Sequence, residues 1–166
     1  MPALDTGVLA PDFTLTTTDG KTVNLLQLLK KGPVVLAFFK VSCPVCQYAF
    51  PMYERLAQAH NHSNTTLLGI CQNGSSEARA FAKEYGVTFP IAIDDAANGY
   101  KVSNAYGLTN VPTLFYIVPD GEIEVSSVGW LKAEVDEVNR RLADLHNHPV
   151  ATLWRKGEAV PDFRAG

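Results

Sequence analysis

The order of apolar runs, turns and amphipathic stretches predicts an α/β domain. A mixed central sheet is covered by helices on both faces, with a β-hairpin added at its N-terminal end. Three observations carry that prediction. Val34–Phe39 is a continuous apolar run bounded by Gly32-Pro33 on one side and polar residues on the other, as suits a strand buried on both faces. A helical apolar pattern and a second apolar run, Thr66–Cys71, follow it in the order of a parallel crossover. The chain then turns at Pro119-Asp120-Gly121 between two strand-like runs and ends its periodic part in an amphipathic stretch, the order of a terminal hairpin and helix.

From the start of the chain, Phe13–Thr16 and Thr22–Leu25 flank the turn dipeptide Asp19-Gly20 and read as the added hairpin. Leu25–Lys30 is short and Leu-rich, one or two helical turns stopped by Gly32-Pro33. Pro44 opens a helix, because its missing N–H costs nothing in a first turn. Behind it Tyr48, Met52, Leu56 and Ala59 share one face, and His60-Asn61-His62 ends the element. Ser75 and Ser76 offer an N-cap to a helix that turns Ala78, Phe81, Ala82 and Tyr85 inward and stops at Gly86. Ile91–Ile93 is a short strand, and a loop with a short helix spans 97–106. Leu114–Val118 and Ile123–Val128 are the closing strands. Leu131, Val135, Val138, Leu142 and Leu145 form the stripe of the last helix, with Trp130 placed to anchor it and Phe38 and Phe39 in the core.

A chain of 166 residues holds one domain with a proper core. Within it, 1–32 is the hairpin extension, 33–146 the core and 147–166 an extended surface tail. A net charge of −3 and the lack of a Lys/Arg run disfavour nucleic-acid or membrane-surface partners. No apolar stretch approaches the about 20 residues that span a bilayer. Met1–Pro11 has neither a basic leader nor an apolar segment, which reads as cytoplasmic.

Three cysteines are too few for a disulfide framework, so a close pair points to redox or metal chemistry. Cys43-Pro44-Val45-Cys46 stands where the buried strand hands over to a helix. A helix N-terminus offers unpaired N–H groups and the positive end of its dipole, which favour a thiolate. Two intervening residues bring both sulfurs within disulfide reach on one turn. Cys43, the outer sulfur, is placed to attack a partner and Cys46 to resolve the mixed disulfide.

Ala10-Pro11-Asp12-Phe13, the Asp19-Gly20-Lys21 turn, the strand before Cys43-Pro44-Val45-Cys46, Val111-Pro112-Thr113 and Pro119-Asp120-Gly121 together resemble the redoxin family. That family joins alkyl-hydroperoxide-reductase/thiol-specific-antioxidant proteins with TlpA-like thiol–disulfide oxidoreductases. The resemblance covers about residues 8–146. It implies a thioredoxin-like fold, a cis Val111-Pro112 bond packed against the dithiol, and a substrate peptide held by Val111 and Pro112 and by the Pro44-Val45 dipeptide. It implies no cofactor, and a thioredoxin- or glutathione-type electron donor. Peroxiredoxins of this family resemble one another in a Thr or Ser three residues before the peroxidatic Cys and an Arg across the site. With Cys46 as that residue, Cys43 would take the Thr position, and the arginines nearest Val111-Pro112 in sequence, Arg79 and Arg140, belong to helices. The reading is therefore dithiol–disulfide exchange with a protein or small-molecule disulfide. A thiol peroxidase using Cys46 or Cys43 is the alternative, and a non-catalytic redox-sensing module a third.

Ser42 and Ala37 depart from thioredoxin itself, which resembles this pattern but has Trp before its first Cys and a buried Asp at the Ala37 position. The inner thiol must then lose its proton by another route. Lys40 is the nearest ionisable residue, read either as an exposed loop lysine or as a cation facing Cys43. Cys71 is read as a core cysteine or, since its strand should run parallel to Val34–Phe39 and end on the same edge, as an auxiliary thiol. A zinc site would need Cys71 and the distant His60, His62, His146 and His148, and is disfavoured. The two His-Asn-His runs are read as chance, serving helix ends.

Overall fold

The computed structural model describes residues 3–166, so Met1 and Pro2 of the predicted extension lie outside the described residues. Five strands form the central sheet in the order β5-β4-β3-β6-β7. They are β3 (Val34–Phe39), β4 (Thr66–Cys71), β5 (Ile91–Ile93), β6 (Thr113–Ile117) and β7 (Ile123–Val128). β3 pairs parallel with β4 and antiparallel with β6, and β6 pairs antiparallel with β7, giving the expected mixed sheet. The predicted hairpin is present as β1 (Thr14–Thr16) and β2 (Thr22–Asn24), paired antiparallel.

The apolar run of β3 is continuous because the strand is buried on both faces. Val35, Ala37 and Phe39 face a core built with α2 (Pro44–Ala59), α3 (Ser75–Tyr85) and α5 (Lys132–Leu145). Val34, Leu36 and Phe38 face the other core, which contains α1 (Leu25–Leu29) residues Leu25 and Leu29 together with Tyr106 and Phe115. Tyr106 follows α4 (Lys101–Ala105) and makes a tilted contact with Phe38, ring centroids 5.4 Å apart.

Several expectations need correction. The buried face of α2 is Cys46, Ala49, Phe50, Tyr53 and Leu56, while Tyr48 and Met52 lie on its flank. The apolar sector of this helix is broad, and its largest rings, Phe50 and Tyr53, take the centre against the sheet. α3 is capped by Gly74 with no side-chain bond, so neither Ser75 nor Ser76 is the N-cap. Leu145, the last residue of α5, is exposed, and Asn139 in the middle of the helix is buried.

The two His-Asn-His runs stand at helix ends, as expected, and those ends meet. Ring centroids of His60 and His148 lie 5.6 Å apart, of His62 and His148 5.0 Å, and of His146 and His148 6.0 Å. The two runs end α2 and α5, which pack side by side with their C-terminal ends together. This cluster is at the opposite end of α2 from Cys43, about 24 Å of helix away.

The tail does more than wrap the surface. Leu153 is buried, Arg55 of α2 holds Glu158 through two charged hydrogen bonds of 2.7 and 2.8 Å, and Trp130 Nε1 donates to Pro161 O at 2.8 Å. Residues Phe163–Arg164 then form β9, antiparallel to β8 (Trp130–Leu131). That pairing carries the end of the chain toward the strand–helix junction at Cys43.

Candidate active site

Cys43 caps α2 in an extended conformation (φ −80°, ψ 116°), and Pro44 occupies the first turn. The backbone N–H of Cys46 donates to Cys43 Sγ at 3.2 Å, so the outer sulfur takes the place of an N-capping oxygen. The Cys43 thiol in turn donates to the Val111 carbonyl at 3.5 Å. Val111-Pro112 is a cis peptide bond, as the family resemblance implied. Val111 lines the groove beside Cys43, whereas Pro112 is buried beneath it.

The two sulfurs differ sharply in access. Cys43 is partly exposed and opens on a groove of about 440 Å³ that Lys40, Pro44, Gln72, Val111 and Gly166 help to line. Cys46 is fully buried; burial, and then its hydrogen bond to Cys43, push its thiol far above the ordinary range. Ala37 lies fully buried in the same core as Cys46. The one buried carboxylate among the described residues, Asp94, accepts from Ser103 N and Oγ, Val102 N and Asn98 Nδ2, and so is committed to α4. Val45 packs at the edge of the core rather than in the groove.

Lys40 is exposed and shares the groove with Cys43, and its carbonyl accepts the Cys43 N–H at 3.3 Å. Cys71 pairs in register with Phe39 at the carboxyl edge, as its strand position implied, but it is fully buried. Burial pushes its thiol up to about 12, against a backbone N–H from Asn73 at 3.4 Å.

Two polar side chains that the sequence reading did not single out hold the active-site loop. Asn73 Oδ1 accepts the Val41 N–H at 2.9 Å, and Gln47 Nε2 donates to Val41 O at 3.0 Å. Nothing in the local sequence marks either one. An arginine was missed as well: the tail brings Arg164 onto the Tyr48 ring, 4.6 Å from its centroid. Its guanidinium rests on that ring and does not line the groove at Cys43, so the fixed cation of a peroxide site is not supplied by it.

A model of the AhpC/TSA family matches residues 6–126. The thiol-disulfide oxidoreductase ResA of Bacillus thuringiensis is 31% identical over 124 residues, covering 74% of this chain and 69% of that protein. Among solved structures, a candidate protein disulfide isomerase from Bacteroides thetaiotaomicron superposes with a TM-score of 0.77 at 29% identity, covering 90% of this chain and all of the other. Peroxidoxin BcpB of Mycobacterium tuberculosis superposes with a TM-score of 0.66 at 25% identity, covering 87% of this chain and 97% of its own. With a thioredoxin fold, a CxxC pair at the head of α2 and these relatives, the chain belongs to the AhpC/TSA family, among its thiol–disulfide oxidoreductases.

Proposed function

We propose that Cys43 is the nucleophile of this oxidoreductase and Cys46 its resolving thiol. The observation that carries the assignment is the difference in access between an outer sulfur at a helix N-terminus and a fully buried inner one. The Cys43 thiolate attacks one sulfur of a disulfide, and the other sulfur leaves as a thiolate. Cys46 then gives up its proton and attacks Cys43 Sγ, which releases the second thiol and leaves a Cys43–Cys46 disulfide. Two electrons have passed to the substrate, and either a dithiol donor of thioredoxin type or two monothiols of glutathione type return them.

Protein disulfides are the substrate class, met in the groove beside Val111 with Pro44 at its rim. Val45 and Pro112 act from below by fixing the shape of that wall. Lys40 supplies positive charge at the same rim, and Cys71 stays a core residue. A cytoplasmic setting belongs to the same proposal and fits reduction as the direction of flow. The test is insulin-disulfide reduction assayed beside hydrogen-peroxide consumption. Dithiothreitol-driven insulin reduction that needs Cys43, with peroxide consumed no faster than by free thiols, supports the reading. Enzymatic peroxide turnover that depends on Cys46 and survives loss of Cys43 overturns it in favour of the peroxidase.

A further inference from the structure

Residues 163–166 occupy ground that a disulfide-bonded partner needs. An added Cβ on Gly166 would stand 2.1 Å from Val111 O, so the tail's backbone lies directly against that carbonyl. The same oxygen is 3.5 Å from Cys43 Sγ. A disulfide partner sits about 2 Å from the sulfur it joins, so a polypeptide running on from that bond past Val111 meets Gly166. The opposite wall, with Lys40 and Gln72, leaves the sulfur open to a small molecule.

Both surfaces are shaped for the contact. Gly129, directly before Trp130, would with any Cβ meet Arg164 O at 2.7 Å, so the chain passes over a seat that only glycine leaves free. The anchorage is uneven. Up to Asp162 the tail is held by buried Leu153, by the Arg55–Glu158 pair, by Trp130 on Pro161 O and by Lys132 N on Asp162 O at 3.0 Å. Beyond it there is a two-residue ladder, the Arg164 contact on Tyr48, and an exposed 3.3 Å bond from Asn110 Nδ2 to Gly166 O. Phe163, the one large apolar side chain of the segment, is 57% exposed. A firmly pinned strap thus leads into a lightly held segment, 163–166, called the tip below.

We infer that residues 163–166 gate the Val111 side of the groove, so that a protein disulfide reaches Cys43 only when the tip lifts, while a small disulfide enters past Lys40 and Gln72. The inference rests on Cys43 being the exchanging sulfur. A seat open about a tenth of the time lowers apparent affinity about tenfold.

Two variants test it: one lacking residues 163–166, and Gly166→Leu, which lifts the tip and keeps the rest of the tail. Each is compared with the parent for reduction of insulin against bis(2-hydroxyethyl) disulfide. Alkylation of Cys43 by iodoacetamide against a peptide-linked maleimide is a second readout, and thermal unfolding checks the fold. The expected result is a rise of about tenfold in both bulky-to-small ratios. Ratios that stay within about twofold, or fall, in a variant that unfolds as the parent does overturn the gate. If neither disulfide is reduced while the alkylation ratio rises, the functional reading fails and the gate stands.

Discussion

Cys43 Sγ and the Val111 carbonyl lie 3.5 Å apart although 68 residues separate them in sequence. The contact exists because β3 and β6 are sheet neighbours, so the loop after one and the loop before the other meet at the same edge. From the helix side the Cys46 N–H reaches the same sulfur. The outer cysteine therefore sits between a donor and an acceptor of the backbone, and the inner one is sealed behind it.

That sealing predicts how the second half of the reaction depends on pH. Burial raises the Cys46 thiol and no carboxylate among the described residues faces it, so its thiolate is scarce at neutral pH. Well below its pKa a thiolate population rises about tenfold per pH unit. In single turnover, release of the second thiol from a preformed Cys43 mixed disulfide should climb along that slope from about pH 6 to 9 without levelling. Quenched-flow measurement checks it; a plateau near neutrality would reveal a proton acceptor.

The Asn73 side chain holds the loop through Val41, and the one sulfur Asn73 meets is that of Cys71. Asn73→Ala leaves the Val41 N–H without its acceptor, a loss of about 1–3 kcal/mol if the group stays buried. Chemical denaturation should show that loss, and iodoacetamide should alkylate Cys43 at an altered rate. Unchanged stability and alkylation would remove Asn73 from the loop's support.

Cys71 is expected to be a bystander. Cys71→Ala should cost about 1–2 kcal/mol, the scale of losing one or two buried methyl-sized groups. Insulin reduction should stay at the parent rate, and oxidised parent protein should yield only the Cys43–Cys46 disulfide in peptide mapping. A disulfide to Cys71 would assign it a redox role.

The histidine cluster predicts acid sensitivity. Asn139 Nδ2 is committed to Ala151 O, so its oxygen faces His60 Nε2 at 2.8 Å and that nitrogen carries the proton. Burial holds His60 below its ordinary value of 6.5, with His148, His146 and His62 adding like-charge opposition. The unfolded chain therefore binds the proton more readily than the folded one. This contribution to stability is present in full above about pH 6.5 and is lost as pH falls from there toward the lowered folded value. The thermal midpoint should fall less between pH 8 and 5 in His60→Gln than in the parent, and equal falls would count against it.

Much of the fold is legible in residues whose local chemistry is unambiguous. The β3 run, Pro44 at a helix start and the Pro119-Asp120-Gly121 turn each point one way, and together they imply a mixed sheet with helices on both faces. The dithiol and the cis Val111-Pro112 bond were legible through the motif and its resemblance. Other features depend on contacts distant in sequence. Asn73 and Gln47 are unremarkable until the loop folds over them, and the histidine runs meet only because α2 and α5 end side by side. The rotation of α2 was misread because Tyr48 and Phe50 both lie in one wide apolar sector, and only packing decides which reaches the sheet. Val160-Pro161-Asp162-Phe163 reads from sequence as a packing clip, and Pro161 and Asp162 do pack; the segment beyond it was opaque, because its place depends on two glycines, Gly129 and Gly166, that matter through what lies opposite them.

The central claim is that Cys43 exchanges and Cys46 resolves, and trapping tests it most directly. Cys46→Ser protein, reduced and then challenged with a disulfide-bearing peptide, should accumulate a mixed disulfide that peptide-mapping mass spectrometry places on Cys43, and Cys43→Ser should accumulate none. A stable adduct on Cys46 in Cys43→Ser, formed as fast as the Cys43 adduct, would contradict the account.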